Sequence, residues 1–296
     1  VALGAALLGA CAPRGPGELL LAPDPDAAGE VGDRGPFGAA LWRARGLARA
    51  QEALPIDVIA PASGDGALDP AEAPYPALVL LQGGLVEVDG YHWLGAQLAS
   101  RGYVVLAPHH PLQLALLEAG DAAAALRQAE AWSEGGGALA GALRPGAPAG
   151  VLGHSLGGVA AAAAWADRPQ LAALVLLASF PAGDGPVAGA GGRPALSLRG
   201  LADEIADPAQ VRAGLDRLPP GSALAEVEGL NHYGWVTPLS EEDRAREPEP
   251  PRPPSEARAD ARRPLDAYLD ATLRGDDGAE ALLDAGEFPG VTWSVR

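Results

Sequence analysis

The sequence predicts an α/β protein, with a mainly parallel central sheet covered by helices on both faces. Three observations carry that expectation. Continuous apolar runs of strand length recur at 77–81, 103–107, 149–152 and 171–178, and a run without alternation marks a strand buried on both faces. Stretches of helical pattern separate these runs, and parallel neighbours need such crossovers. The third is Val151-Leu152-Gly153-His154-Ser155-Leu156-Gly157-Gly158, where a short apolar strand passes through a glycine-bounded turn into an Ala-rich helical run at 156–167.

In chain order, 54–61 alternates between prolines and is expected to be an early strand near a sheet edge. The strand at 77–81 ends in Gln82-Gly83-Gly84-Leu85. Tyr91, Leu94 and Leu98 give 91–101 a helical spacing that stops at Gly102. The next strand, 103–107, ends at Pro108-His109-His110-Pro111. A mostly helical stretch is expected at 112–132, then a loose connector at 135–148. After 171–178 come a strand at 194–198, a helix at 208–218 and the last expected strand at 223–227. Residues 241–255, dense in Glu, Arg and Pro, are expected to be an exposed insertion. A closing helix at 257–274 carries Leu265, Tyr268, Leu269 and Leu273 on one side. No internal repeat and no large lid domain interrupt 37–296, which is expected to be a single domain.

Bulk properties narrow the function. A net charge of −17 over 296 residues argues against nucleic acid, whose phosphates it would repel. Methionine is absent and aromatics are few, so Leu, Val and Ala must fill the core. The single cysteine, Cys11, forbids an intrachain disulfide. It closes an apolar run at 1–10 through Leu8-Gly9-Ala10, which resembles a bacterial lipoprotein signal ending in a lipobox. That resemblance implies acylation of Cys11 and removal of the residues before it. Residues 12–36, rich in Pro, Gly and Asp, are then a tether. The expected setting is the bacterial cell envelope, with the membrane met only through the lipid. A monomer is expected. No metal-ligand spacing or phosphate-binding loop stands out, so no cofactor is expected.

The chemistry centres on Ser155. Gly153 to Gly157 fits G-x-S-x-G between a strand and a helix, a context that strains the turn and lifts the hydroxyl above the sheet edge. The helix N-terminus beneath it offers N–H groups to a developing oxyanion. A serine hydroxyl needs a base, and the base needs an orienting acid. Of the histidines, His92, His109, His110 and His154 fit that role less well than His232. Only His232 lies well downstream and just past a strand end, in Gly229-Leu230-Asn231-His232. For the acid, Asp203 is presented where Leu198-Arg199-Gly200-Leu201-Ala202 breaks at glycine; Glu204, Asp207 and Asp184 compete. Asp207 has the look of a helix N-cap before Pro208. The oxyanion donors are expected to be the N–H of Leu156 and that of Gly84, with Leu85 the alternative to Gly84. Leu85, Tyr91, His109, Trp132, Trp235 and Leu239 are candidate pocket walls, Trp235 first among them.

Ser155, Asp203 and His232 in that order resemble the α/β-hydrolase superfamily. So do Gln82-Gly83-Gly84 after an early strand, and the likeness runs from about 54 to 274. Within the superfamily the chain is similar to the side occupied by dienelactone hydrolases, cutinases and acyl-ester hydrolases. It departs in having Gln82 where many members have His, Ser rather than the Cys of true dienelactone hydrolases, and a 241–255 stretch without counterpart. The resemblance implies a Ser–His–Asp triad, an acyl-enzyme intermediate, and a small or polymeric carboxylic ester as substrate. Thioesterase, lactonase or amidase chemistry on the same fold stays open, as does a surface lipoprotein that only binds.

Overall fold

The computed structural model describes residues 18–19, 34–49, 52–110, 119–135, 138–237 and 241–296. Its strands are β1 (Glu18–Leu19), β2 (Gly38–Arg49), β3 (Glu52–Ala62), β4 (Ala77–Leu81), β5 (Val104–Pro108), β6 (Ala149–His154), β7 (Leu171–Leu177), β8 (Leu196–Gly200), β9 (Ala223–Val227) and β10 (Val291–Val295). Its helices are α1 (His92–Ser100), α2 (Ala119–Gly135), α3 (Leu156–Asp167), α4 (Pro208–Leu215), α5 (Glu241–Arg246), α6 (Pro254–Leu269) and α7 (Asp277–Ala285).

One sheet runs in the order β1-β2-β3-β5-β4-β6-β7-β8-β9-β10. Pairing from β5 through β9 is parallel throughout. The flanks, β1·β2·β3·β5 on one side and β9·β10 on the other, are antiparallel. The apolar runs divide their side chains between two cores. Ala77, Val79 and Leu81 face one, Leu78 and Leu80 the other, and β5 and β7 alternate likewise. Helices α2 and α3 cover the first face through Ala122, Ala125, Trp132, Ala161 and Trp165. Helices α1 and α6 cover the second through Leu94, Leu98, Ala261 and Leu265.

The 54–61 segment lies in β3, third in the sheet order from the β1 side, pairing with β5 through Ile56–Ile59 and with β2 along its length. Two expectations need correction. The 223–227 strand is not the last, because β10 adds an antiparallel strand outside it. The 241–255 insertion is not wholly exposed: α5 is on the surface, but Glu247 behind it is buried. Glu18–Leu19, inside the stretch expected to be a tether, pair with Leu41 and Ala40. Cys11, Leu239 and residues 111–118 of the expected 112–132 helix lie outside the described residues.

The order reverses at β4. The chain crosses from β4 to β5 on one side, then returns to add β6 on the other. A cleft opens at such a reversal, beyond the carboxyl ends of the strands. The loops leaving β4 and β6 flank it, and these are the loops that carry Gly84 and Ser155.

Candidate active site

Ser155 alone makes the turn between β6 and α3, at φ 51° and ψ −121°. A non-glycine residue there carries strain on the order of 1–3 kcal/mol, so its surroundings must hold it. Ser155 N–H donates to the Leu177 carbonyl at 2.9 Å, and the Ser155 carbonyl accepts from Ser179 Oγ at 2.6 Å and Gly158 N–H at 3.0 Å. The flanking glycines permit the close approach. A Cβ on Gly153 would overlap the Gly157 carbonyl, and one on Gly157 would overlap the Gln82 carbonyl. Leu156 is the first residue of α3, so its N–H has no acceptor within the helix.

Asp203 and His232 meet from two other loops. β8 stops at Gly200, where a Cβ would overlap the Leu230 carbonyl, and the loop beyond it buries Asp203. Asp203 Oδ1 accepts from the Ile205 and Ala206 N–H groups at 2.9 and 2.8 Å. Its Oδ2 lies 3.1 Å from Nδ1 of His232, which opens a short 3-10 turn after β9. The competing acids are elsewhere. Asp207 caps α4, accepting from Ala209 N–H at 2.8 Å, while Glu204 and Asp184 are exposed. The other histidines are also engaged. His92 and His109 sit 2.8 and 3.0 Å from Asp57 Oδ2, and His110 lies 3.8 Å from Asp121.

His154 joins these loops, a role its place beside Ser155 did not reveal. It is fully buried, and its ring lies 4.8 Å from that of His232. Burial, then the neighbouring His232, hold its pKa well below the usual imidazole value, so it is neutral. Its Nε2 is 3.0 Å from the His232 carbonyl, which can only accept, so Nε2 carries the proton. Nδ1 must then accept from the Tyr91 hydroxyl at 2.8 Å, and the Tyr91 oxygen accepts from Gly83 N–H at 2.9 Å. This chain runs from the β4 loop through the end of β6 to the His232 loop. No sequence motif signals it, because its members are far apart in the chain.

The same chain occupies Gly83 N–H and leaves its two successors. Residues Gly83 to Val86 form a turn, with Val86 N–H on the Gly83 carbonyl at 3.2 Å and Leu85 at φ 63°. Neither Gly84 nor Leu85 N–H makes a backbone hydrogen bond among the described residues. A Cβ on Gly84 would come within 2.6 Å of Leu156 Cδ1, so the β4 loop lies against the start of α3. Gly84 and Leu156, the first residue of α3, are therefore close neighbours beside Ser155.

The candidate walls separate. Leu85 is exposed, Tyr91 is committed to His154, and His109 to Asp57. Trp132 and Trp235 are buried in opposite cores, and the Trp235 carbonyl accepts from Trp93 Nε1 at 2.9 Å. A cluster absent from the sequence expectations lies near α1: Asp57, Asp89 and His92 offer ligand atoms within 4.8 Å of one another. Arg43 already donates to both carboxylates, at 2.7 and 2.8 Å to Asp57 and 2.9 Å to Asp89. Burial raises the Asp57 pKa, but hydrogen bonds from Arg43, His109 and His92 outweigh it and hold the carboxyl far below its usual range. A cation would have to displace a guanidinium from that place.

A parallel sheet covered on both faces, carrying a strained serine turn at its order reversal, defines a hydrolase of the α/β type. A family model described as the alpha/beta hydrolase family matches residues 77–237, more than half of the chain, and the chain belongs to that family. Comparison with curated proteins gives no match. The matched stretch ends before α5, so the segment that contains Glu247 lies outside it.

Proposed function

We propose that this hydrolase cleaves carboxylic esters by acyl transfer to Ser155. The observation that carries the reading is the Asp203–His232 pair, 3.1 Å apart, tied through the His232 carbonyl to His154, the neighbour of Ser155. In this scheme His232 Nε2 takes the Ser155 proton as Oγ attacks the ester carbonyl. Asp203 keeps the proton on Nδ1 and stabilises the imidazolium. The Leu156 N–H and that of Gly84 or Leu85 receive the oxyanion. His232 then returns the proton to the leaving alcohol and activates the water that releases the acid. Kinship to the dienelactone hydrolase and cutinase side is supported by the β7–β8 connection, residues 178–195, which contains no helix. The same proposal makes Cys11 the lipid attachment point that holds a monomeric enzyme at the cell envelope.

Ser155→Ala is expected to abolish turnover of p-nitrophenyl butyrate and attachment of a fluorophosphonate probe. Undiminished turnover in that variant, or no adduct on the wild type, sinks the proposal. A substrate series pairing each oxygen ester with its thioester then separates the acyl chemistries that the fold permits.

A further inference from the structure

Glu247 stands on the segment that follows the matched family stretch, yet it reaches both loops of the Asp203–His232 pair. Its buried carboxylate accepts three backbone N–H groups. Oε1 takes that of Glu204 at 3.1 Å and that of His232 at 2.9 Å, and Oε2 takes that of Tyr233 at 3.2 Å. Neighbouring contacts lay the segment along the His232 loop. Asn231 Nδ2 donates to the Pro248 carbonyl at 3.3 Å, Arg246 Nη1 to the Tyr233 hydroxyl at 3.3 Å, and Arg252 Nη1 to the Glu228 carbonyl at 3.4 Å.

We propose that Glu247 is a positioning residue for the Asp203–His232 pair: one carboxylate oxygen cross-ties the backbone next to the acid to the backbone of the base. This rests on the hydrolase reading of the site given above. The physical case is the convergence of two donors, from loops 29 residues apart at the pair itself, on a single atom. An oxygen that accepts both fixes how far apart they sit. The hydrogen bonds are charge-assisted and shielded from water, which makes them stiffer than neutral or exposed ones. Without the carboxylate, the His232 and Tyr233 N–H groups would be left as donors in a buried place, and the loops would shift to find other partners. Catalysis by a base and its orienting acid tolerates little such shift, since a misplacement of about 1 Å can cost on the order of 10²-fold in rate.

The test uses the full chain with Glu247→Ala, Glu247→Met and Glu247→Gln, and p-nitrophenyl butyrate as substrate. Glu247→Met fills similar volume without an acceptor, so it serves if Glu247→Ala does not fold. Glu247→Gln keeps an oxygen where the two donors converge. The expected result is a kcat lowered about 10²-fold in Ala and Met with KM unchanged, and most of the kcat retained in Gln. A second readout needs no turnover: the downfield proton resonance of His232 Nδ1–H, identified by its loss in Asp203→Asn, broadens away in Ala and Met and persists in Gln. Wild-type kcat and an unaltered resonance in Ala and Met overturn the proposal, as does equal loss in all three variants. If the wild type turns over no ester, the ester reading fails, and the resonance alone decides the tie.

Discussion

Asp203 divides its two oxygens between two tasks. Oδ1 is held by the Ile205 and Ala206 N–H groups inside its own loop, which leaves Oδ2 to His232 Nδ1. An amide at this position can satisfy the loop only by presenting an NH₂ to the imidazole, which then loses the Nδ1–H tautomer. Asp203→Asn is therefore expected to lower kcat by about 10³–10⁴-fold on p-nitrophenyl butyrate, with little change in the urea midpoint. A variant that keeps its rate would remove Asp203 from the mechanism. Gly157 is the opposite kind of residue, important for what it lacks. A Cβ there meets the backbone carbonyls of Leu81 and Gln82, and neither can swing aside as a side chain would. Gly157→Ala is expected to destabilise the fold by about 1–3 kcal/mol, read as a lower urea midpoint.

At the level of elements, the short 3-10 turn Val88–Tyr91 is what links the β4 loop to the end of β6. Tyr91→Phe removes only the hydroxyl, but leaves Gly83 N–H and His154 Nδ1 unpaired in a buried place. The expected cost is about 1–3 kcal/mol of stability together with a lower kcat, and equal stability in urea would show that the chain of hydrogen bonds carries nothing. The parallel strands were legible because both of their faces are buried: the bounds of β4 coincide with the apolar run 77–81, and those of β9 with the expected strand at 223–227. The flanks were not. β2 opens with the apolar Gly38-Ala39-Ala40-Leu41-Trp42 but continues through Arg43, Arg45 and Arg49, and β10 is largely exposed, so neither reads along its length as a strand buried on both faces. β3 was expected near an edge because of Pro55 and Pro61; it stands third in the order from the β1 side, and both prolines lie beyond the Ile56–Ile59 stretch that pairs with β5. In the site, residue type and chain order pointed to Ser155, Asp203 and His232, and the structure brings Asp203 and His232 into hydrogen-bond contact. The supports escaped notice. Glu247 looked like one more charge in a polar stretch, and His154 like a bystander, because what each does depends on partners far along the chain.

Across the whole molecule, pH pulls stability in two directions. The net charge of −17 at pH 7 repels itself, and acidification toward the pI near 4.6 relieves that repulsion. His154 works the other way. Its folded pKa lies well below 6.5, chiefly through burial, while the unfolded chain titrates near 6.5. Above pH 6.5 both states hold a neutral ring and pH has no effect through this group. Below it the unfolded state binds a proton that the fold refuses, so the contribution of His154 falls as pH falls. Asp57, also held below its ordinary value, loses its contribution only as pH drops from 3.8 downward, outside this window. Comparing the wild type with His154→Gln cancels the shared charge repulsion. Urea unfolding from about pH 8 to about pH 5 is expected to show a constant stability difference above pH 6.5. Below that, the wild type should lose ground to the variant, with a slope approaching about 1.4 kcal/mol per pH unit, the value for one proton. Parallel curves across the whole range would mean that His154 takes up its proton in the folded state. The oriented chain from Gly83 to the His232 carbonyl, which needs a neutral ring, would then be wrong.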